Sequence, residues 1–444
     1  MLPSTSNYLL KNGRVPLSLL EMKSIARSAS TVTTTRTDNN FCLVDVEIAA
    51  GTIAKITTAD TEHLFPIADI PIVDLCGGLI LPCFVDMHTH LDKGHIWDRS
   101  PNPDGTFGSA IESARADAQK NWNADDVYRR MEFALKCSYA HGTTAIRTHI
   151  DATGEQGMVS LGVLEALQAE WGAKLILQAV SLVSLDYFLT PAGEKLASRI
   201  AELGGILGGV AYMNPDLDKQ LDRVFSLAQE HGLNLDFHTD ENDDPESTTL
   251  LEVAKTAIRH KFSGQIICGH CCSLAVQPPD LVTETLALVK EANIGIVSLP
   301  MCNLYLQDRQ SGRTPRWRGV TLLHELKAAG IPVAVASDNC RDPFYAFGDH
   351  DVLEVFNMAV RIAHLDMPYG DWLRTVTQTP AELMGLPNLG KIAVGLPADL
   401  ILFKARNFSE LLSRAQGDRT VLRQGEKIDT TLPDYRELDD LLGI

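Results

Sequence analysis

The chain has 444 residues, of which 45% are hydrophobic, and a formal net charge of -18 at pH 7. This acidic balance disfavours a nucleic-acid backbone as a partner, and no apolar stretch approaches the ~20 residues of a membrane-spanning helix. The length fits an α/β barrel with a small additional domain, and a small neutral or cationic molecule is the expected ligand.

The first 80 residues are predicted to form the N-terminal part of a small β domain. Two β-like segments, YLLKNGRV and CLVDVEIAAGTIAKI, are short and interrupted at glycine, as strands joined by tight turns are. Residues 24–40, SIARSASTVTTTRTDNN, are rich in serine and threonine. Because such a segment cannot supply a hydrophobic core, we expect a flexible loop or an insertion there.

Residues 81–389 are predicted to form a (β/α)8 TIM barrel, because short β-rich runs alternate with longer amphipathic stretches. The eight runs are GLILPCFVDMH, TTAIRTHI, KLILQAVSLV, ILGGVAYM, LNLDFHT, QIICGH, NIGIVSL and IPVAVAS. Between two of them, DLDKQLDRVFSLAQEHG places Leu217, Leu221 and Val224 on one helical face and ends at Gly232, a typical C-terminal stop. In this fold the chemistry lies where the strands end.

Residues 390–444 are predicted to complete the small domain and to end in a tail. The segments GKIAVGLPADLILFKA and TVLRQGEKI are again β-like and contain glycine at their breaks. Strand-forming segments at the two ends of the chain can pair with each other outside the barrel. The predicted fold is therefore α/β, a TIM barrel with a small β-sandwich domain formed by both chain ends.

Side chains that can bind a metal ion fall at the ends of four predicted strands. They are His88 and His90 after the first strand, His238 after the fifth, His270 after the sixth and Asp338 after the eighth. A single histidine in such a place is ordinarily a hydrogen-bonded structural residue, and Glu241 alone could be a solvated loop acid. Recurrence at four strand ends of one barrel favours a shared metal ion instead.

The chemistry of these groups indicates hydrolysis. Neutral imidazoles with a carboxylate suit zinc or ferrous iron. Such an ion lowers the pKa of bound water to about 7, so hydroxide is available at neutral pH. Hydroxide in a barrel mouth indicates cleavage of a polarised C–N or C–O bond, and Glu241 can supply the proton that a departing amine needs.

Several motifs of the sequence resemble those of a known family. The ordered motifs FVDMHTHLDK, HTDEN, GH, ASDN and VGLPADLILF are similar to those of the amidohydrolase superfamily. The segments IRTHID, LPMCNLYLQDR, RGVTLLHELKAAGI and DPFYAFGDHD resemble its cytosine deaminase branch in order and spacing, over about residues 70–405. The SDN triplet also resembles the N-isopropylammelide amidohydrolases.

The resemblance implies one divalent ion, Fe2+ or Zn2+. Its implied ligands are His88, His90, His238 and Asp338, and its implied catalytic residues are Glu241, His270 and Asp338. In this scheme Asp338 accepts a proton from the activated water and His270 orients the hydroxide. Glu241 protonates the ring nitrogen and then the leaving ammonia.

Two departures from the cytosine deaminases concern substrate recognition. Those enzymes place a glutamine on the strand-three loop, where this chain has Ser184, and a second aspartate where it has Asn339. Gln307 is a further candidate for contact with the substrate. Lys93 is another, although it could equally form an ion pair at a helix start.

The predicted function is metal-dependent hydrolytic deamination of an aminated heterocycle, either cytosine or a close pyrimidine-like analogue, with release of ammonia. The alternatives are hydrolysis of a cyclic amide or of an N-alkylamino-triazine C–N bond, and a non-catalytic metal-binding barrel. The expected partner is a small heterocyclic molecule, with no nucleic acid or membrane, and we expect a homo-oligomer. The nine irregularly spaced cysteines indicate reduced thiols and a cytoplasmic location.

Overall fold

The computed structural model describes residues 6–24, 40–58 and 70–444. Of the segment predicted to be a loop or insertion, residues 25–39 lie outside this described part. Two compact units are present. The first comprises Met1–Val85, Tyr139–Thr144 and His364–Leu432, and the second comprises Asp86–Ser138, Ala145–Ala363 and Pro433–Ile444. Within the described ranges, no helix combines the length and apolar character that crossing a bilayer requires.

The β-strands are short and spread along the whole chain. They are β1 Asn7–Pro16, β2 Phe41–Ala49, β3 Thr52–Thr58, β4 Ile72–Asp74, β5 Ile80–Pro82, β6 Phe84–Thr89, β7 Thr143–Asp151, β8 Ile176–Leu182, β9 Leu207–Ala211, β10 Leu235–Thr239, β11 Ile266–His270, β12 Ile294–Ser298, β13 Val333–Val335, β14 Leu400–Leu402, β15 Thr420–Arg423 and β16 Glu426–Lys427.

Most of the long helices lie between the strands of the second unit. The α-helices are α1 Phe107–Asn121, α2 Ala124–His141, α3 Gly154–Trp171, α4 Pro191–Glu202, α5 Leu217–His231, α6 Thr249–His260, α7 Pro279–Glu291, α8 Pro300–Leu306, α9 Leu323–Ala328, α10 Val352–Ala363, α11 Gln378–Leu383, α12 Phe408–Leu412 and α13 Asp439–Leu442. Short 3-10 helices span Leu17–Leu19, Met22–Ser24, Leu185–Leu189, Cys272–Ala275, Trp372–Val376 and Tyr435–Leu438.

The first unit contains two four-stranded sheets, with the orders β3-β2-β1-β4 and β16-β15-β14-β5. Apolar side chains from both sheets, among them Val44, Val46, Leu400 and Leu422, share one buried core. Two sheets that bury their inner faces against each other are the arrangement of a β-sandwich. The prediction that both ends of the chain contribute to a small β domain is therefore confirmed.

The second unit is built on parallel strands. One sheet has the order β6-β7-β8 and the other the order β13-β12-β11-β10-β9. Parallel bridges join Val180 to Ile206 and Thr89 to Asp338, which connects the two sheets at both edges. These connections close an eight-stranded barrel, and the predicted TIM barrel is confirmed.

The predicted elements agree with the structure in type but differ in two places. Helix α5 agrees with the prediction: it spans Leu217–His231 and is stopped by Gly232, whose backbone is left-handed at φ 65°. The first predicted barrel strand is divided: β5 pairs with β14, and β6 belongs to the barrel sheet. The segment YLLKNGRV forms one strand with a register shift between Leu10 and Gly13, where we expected a break at a turn.

The sequence-based division assigned residues 390–444 to the C-terminal part of the small domain and a tail, and the last of these residues cluster with the second unit. The reason is a small apolar contact made by this segment. Leu438 is buried against Phe133 and Cys137 of helix α2. The Arg129 guanidinium, on the same helix, forms an ion pair with Asp440 at 2.7 Å.

Candidate active site

The barrel brings the predicted metal ligands to one end of its strands. Strands β6 and β10 carry His88 and His238, and His90 follows directly after β6. Asp338 lies three residues beyond β13, and its backbone N–H donates to the His88 carbonyl oxygen at 2.9 Å. Because parallel strands point the same way, their C-terminal ends meet at one mouth of the barrel.

Four of these side chains converge closely. The Nε2 atom of His238 lies 3.2 Å from Nε2 of His88 and 3.3 Å from Nε2 of His90. The Oδ1 atom of Asp338 lies 3.2 Å from Nε2 of His90 and 3.7 Å from Nε2 of His88. All four side chains are at most 5% exposed. The sequence-predicted ligand set is thus one contiguous buried cluster.

This cluster has the chemistry of a metal site. Burial, and then the neighbouring histidines, hold the pKa of His88 and of His238 well below the usual range, so both rings are neutral. Neutral imidazole nitrogens this close repel one another unless a proton or a cation lies between them. Nitrogen ligands about 2.0–2.1 Å from a tetrahedral ion are about 3.3 Å apart. The residues therefore fit a divalent ion.

Two neighbours determine how His88 is held. His149 stacks on His88 with ring centroids 3.9 Å apart, and neither of its nitrogens has a hydrogen-bond partner among the described residues. His88 also lies against Gly269, where a Cβ atom would lie 2.9 Å from Cε1 of His88. A larger residue at 269 would therefore displace the imidazole.

Glu241 and His270 form the proton-handling side of the cluster. Oε1 of Glu241 is 3.2 Å from Nδ1 of His270. The Asn303 side-chain amide lies between them, 3.2 Å from that oxygen and 3.1 Å from that nitrogen. If the amide donates to Nδ1, His270 carries its proton on Nε2, which has no hydrogen-bond partner among the described residues.

The two carboxyl groups of the site have opposite pKa shifts. Burial, followed by the charge of Asp338, raises the pKa of Glu241 well above its usual range. Burial also acts on Asp338, but the His90 hydrogen bond and the charge interaction with His270 outweigh it and lower the pKa. Burial lowers the pKa of His270 to about 4. The pair therefore offers one proton donor and one carboxylate, a pattern typical of acid–base sites.

The four residues predicted to contact the substrate differ in their burial and in their hydrogen-bond partners. Lys93 is buried and forms an ion pair with Asp151 at 2.7 Å. The Gln307 amide donates to the backbone oxygen of Glu241 at 3.2 Å, and the Asn339 amide donates to Asp342 at 2.8 Å. Ser184 is exposed just beyond β8. Gln307 therefore lies beside the cluster, whereas the side-chain amide of Asn339 is already occupied.

Three residues near the cluster were missed as individual candidates. His149 and Asn303 lie in the segments IRTHID and LPMCNLYLQDR, where their polar groups among apolar neighbours were the available signal. Tyr212 follows β9 and is 48% exposed. Burial of its hydroxyl, and then the charge of Glu241, raise the pKa of Tyr212. The Tyr212 hydroxyl therefore interacts electrostatically with Glu241.

Comparisons with known proteins show which family this chain belongs to. A model described as the amidohydrolase family matches residues 124–423. A pterin deaminase of Rhizobium rhizogenes is 49% identical over 99% of this chain and 98% of that protein. An N-isopropylammelide isopropyl amidohydrolase of a Pseudomonas species is 24% identical over 75% of this chain and 81% of that protein. The solved structure of 5-methylcytosine deaminase from Klebsiella pneumoniae with 5-fluorocytosine has a TM-score of 0.79 and 26% identity, covering 96% of this chain and 98% of that chain.

Proposed function

Because this chain belongs to the amidohydrolase family and is a hydrolytic deaminase of a heterocycle, we propose that its substrate is a pterin. Water replaces the exocyclic amine of the 2-amino-4-oxopteridine ring, and the products are a 2,4-dioxopteridine and ammonia. The identity of 49% to a pterin deaminase over 99% of the chain carries this proposal. The sequence favoured cytosine or a pyrimidine-like analogue, and a pterin contains such an aminated pyrimidine ring fused to a second ring.

The family binds a divalent metal ion, and we propose that His88, His90, His238 and Asp338 hold one here, either iron or zinc. When bound, the ion supplies a water molecule that is acidic near neutral pH. The support is the distances of 3.2–3.7 Å among the four side chains, together with their burial.

The protein's own acid–base side chains carry out the proton transfers of the reaction. The Asp338 carboxylate accepts the proton that the attacking water releases. Asn303 donates to Oε1 of Glu241, so the proton of this carboxyl group resides on Oε2, from where it is transferred to the ring nitrogen next to the amine. His270 offers its Nε2–H group to the oxygen that becomes the new carbonyl. Glu241 then collects the second proton of the former water and delivers it to the amine, which leaves as ammonia. The proton held by Asp338 finally restores the Glu241 carboxyl group. General acid–base catalysis of this kind contributes about 10²–10⁴-fold to a rate.

Substrate recognition differs from that of a cytosine site in ways that suit a larger ring. The position of the strand-three glutamine is occupied by the exposed Ser184, which leaves space at that edge. The Asn339 side chain is engaged by Asp342. The exposed ring of Tyr212 offers an aromatic face, and a flat bicycle can stack on such a face. We propose that Gln307 and Tyr212 contact the pterin.

The test compares three candidate substrates that differ in the position of the amine and in the presence of the second ring of the pterin. Purified protein, reconstituted with iron or with zinc, is assayed for ammonia with pterin, isocytosine and cytosine. Isocytosine carries the same aminated ring as pterin but lacks the second ring, and cytosine carries its amine at another carbon. We expect kcat/KM for pterin to exceed that for cytosine by at least about 100-fold, the size of discrimination that a shaped pocket achieves.

Product analysis separates this proposal from the second candidate. The 24% identity to an N-isopropylammelide isopropyl amidohydrolase makes hydrolysis of an N-alkylamino-triazine the alternative. Release of isopropylamine from N-isopropylammelide, with no ammonia from pterin, would replace the proposed substrate class. Metal content measured on the same preparations distinguishes an inactive apoprotein from a wrong substrate.

A further inference from the structure

A second cluster of potential metal ligands lies outside the candidate active site. It consists of His95, Cys340 and His350, whose ligand atoms all lie within 4.8 Å of one another. His95 is in the loop after β6, and the other two are in the loop between β13 and α10. The three side chains are only 2–3% exposed. None of them belongs to the ligand set proposed for catalysis.

The two imidazoles are oriented as ligands of one ion would be. Their Nε2 atoms are 3.1 Å apart. Nitrogen ligands of a tetrahedral zinc ion lie about 3.3 Å from each other. A hydrogen bond between two neutral rings would explain this contact, but it would not explain the adjacent thiol.

The backbone at this cluster is also unusual. His95 and His350 adopt left-handed conformations, with φ 62° and 55°, which are unfavourable for residues other than glycine. Surrounding contacts must therefore hold them. The His95 N–H donates to the Cys340 carbonyl oxygen at 3.1 Å, and the Trp97 N–H donates to the Arg341 carbonyl oxygen at 2.8 Å. The two loops are thus joined at their backbones directly beside the three side chains.

We propose that His95, Cys340 and His350 bind a second, structural metal ion. Two imidazoles and a thiolate select a borderline-soft ion such as zinc over magnesium or calcium. Three protein ligands leave one position of a tetrahedral ion for a solvent molecule. The ion fixes the loop that contains Lys93 to the loop that contains Asn339. Because it joins these two loops, we assign it the role of holding the rim of the active site.

Cobalt provides a probe that distinguishes the two sites. Apoprotein prepared by chelation is titrated with Co2+ and followed by absorption spectroscopy. Only the second site contains a thiolate ligand, so it alone produces a sulfur-to-cobalt charge-transfer band in the near ultraviolet. We expect this band in the wild type and in His238→Asn, which removes a proposed catalytic ligand. We expect its loss in Cys340→Ser and its loss or shift in His350→Gln.

The matched control is Cys272→Ser. Cys272 is as buried as Cys340 but belongs to none of the clusters of potential ligands. This variant should retain the band and a total of two bound ions per chain by elemental analysis. A folded wild-type protein without the band, or a band unchanged in Cys340→Ser, would overturn the proposal. If Cys340→Ser does not fold, the test uses His350→Gln, which retains the thiol and removes an imidazole. An unchanged band in this variant would then overturn the proposal.

Discussion

Glu241 and Asp338 are two carboxyl groups in one buried cluster with opposite pKa shifts. Their ligand atoms lie within 4.8 Å of each other and of His270. Two negative charges at this separation are unfavourable in a poorly hydrated site, so the group with fewer stabilising partners remains protonated. Asp338 has the contact with His90, and Glu241 is therefore the protonated member.

Replacing Glu241 by glutamine should abolish turnover and leave the metal site intact. Glutamine preserves the shape and the contact with Asn303 but cannot transfer a proton. We expect kcat to fall by about 10²–10⁴-fold with metal content unchanged. Steady-state kinetics and elemental analysis measure both quantities. Glu246→Gln, the same change at an exposed position nearby, serves as the control, and wild-type activity of Glu241→Gln would remove this residue from the mechanism.

Gly269→Ala should weaken metal binding through His88. A Cβ atom at this position would lie 2.9 Å from Cε1 of the imidazole, closer than real Cβ contacts come, and 3.1 Å from Nδ1, which is tighter than most such contacts. Disturbing the support of a metal ligand typically reduces affinity about 10–100-fold. Competition with a chelator measures the change. Gly162→Ala is the control, because a Cβ atom there meets nothing within 4 Å, and equal effects of the two variants would contradict this reasoning.

At the level of elements, helix α2 supports the loop that follows His88 and His90. Arg130 is fully buried and donates to Asp126 at 2.7 and 2.9 Å. The same guanidinium donates to the backbone oxygens of Asp92 and Gly94 at 2.5 and 2.9 Å. The loop thus depends on a buried cation, which in turn depends on the carboxylate of Asp126.

Asp126→Asn should strongly destabilise the protein, because the Arg130 guanidinium remains buried without its counter-charge. Removing one member of a buried pair typically costs about 3–5 kcal/mol of unfolding free energy. Chemical denaturation followed by circular dichroism measures it. Asp125→Asn removes the same charge from an exposed neighbouring position and should cost less than about 1 kcal/mol. A similar loss in both variants would show that the pair has no special role.

The contribution of Asp126 should also depend on pH in a defined direction. Burial acts against ionisation, but the Arg99 hydrogen bond and the charge of Arg130 outweigh it and lower the pKa of Asp126. A lowered pKa in the folded state stabilises the fold above the unfolded-state pKa of about 3.9. This contribution decreases as the pH falls through the folded-state pKa. The stability difference between wild type and Asp126→Asn should therefore be constant near neutral pH and shrink in acid.

The sequence predicted elements well where a local pattern sufficed. Alternating β-rich and amphipathic segments identified the barrel strands, and the polar residues at their ends identified side chains that the structure brings together in one cluster. The division between β5 and β6 was missed, because GLILPCFV is apolar throughout and β5 pairs with β14, more than 300 residues away. Asn303 was missed for a similar reason. Its importance arises from its contact with Glu241, which is distant in sequence.

At the scale of the whole molecule, the end of the chain could not be assigned to its unit from the sequence. Helix α13 has four residues, which is too short for an apolar periodicity to be recognised. Its membership of the second unit follows from contacts with helix α2, whose residues lie about 300 positions earlier. Tyr435 adds a further connection, since its hydroxyl donates to Asp349 at 2.9 Å, next to His350.

The terminal segment should therefore contribute to the stability of the second unit through Leu438. This side chain is 2% exposed and packs on Phe133 and Cys137. Leu438→Ala removes apolar contacts and leaves a cavity, for which the usual loss is about 2–5 kcal/mol. We expect a value near the lower limit, because a chain end can detach locally before global unfolding.

Denaturant titration gives the global value, and hydrogen exchange of residues 433–444 reveals local detachment. The control is Ile444→Ala, at a residue that is 75% exposed, which should change neither the unfolding midpoint nor the exchange rates. If Leu438→Ala also leaves both quantities unaltered, the segment does not stabilise the second unit.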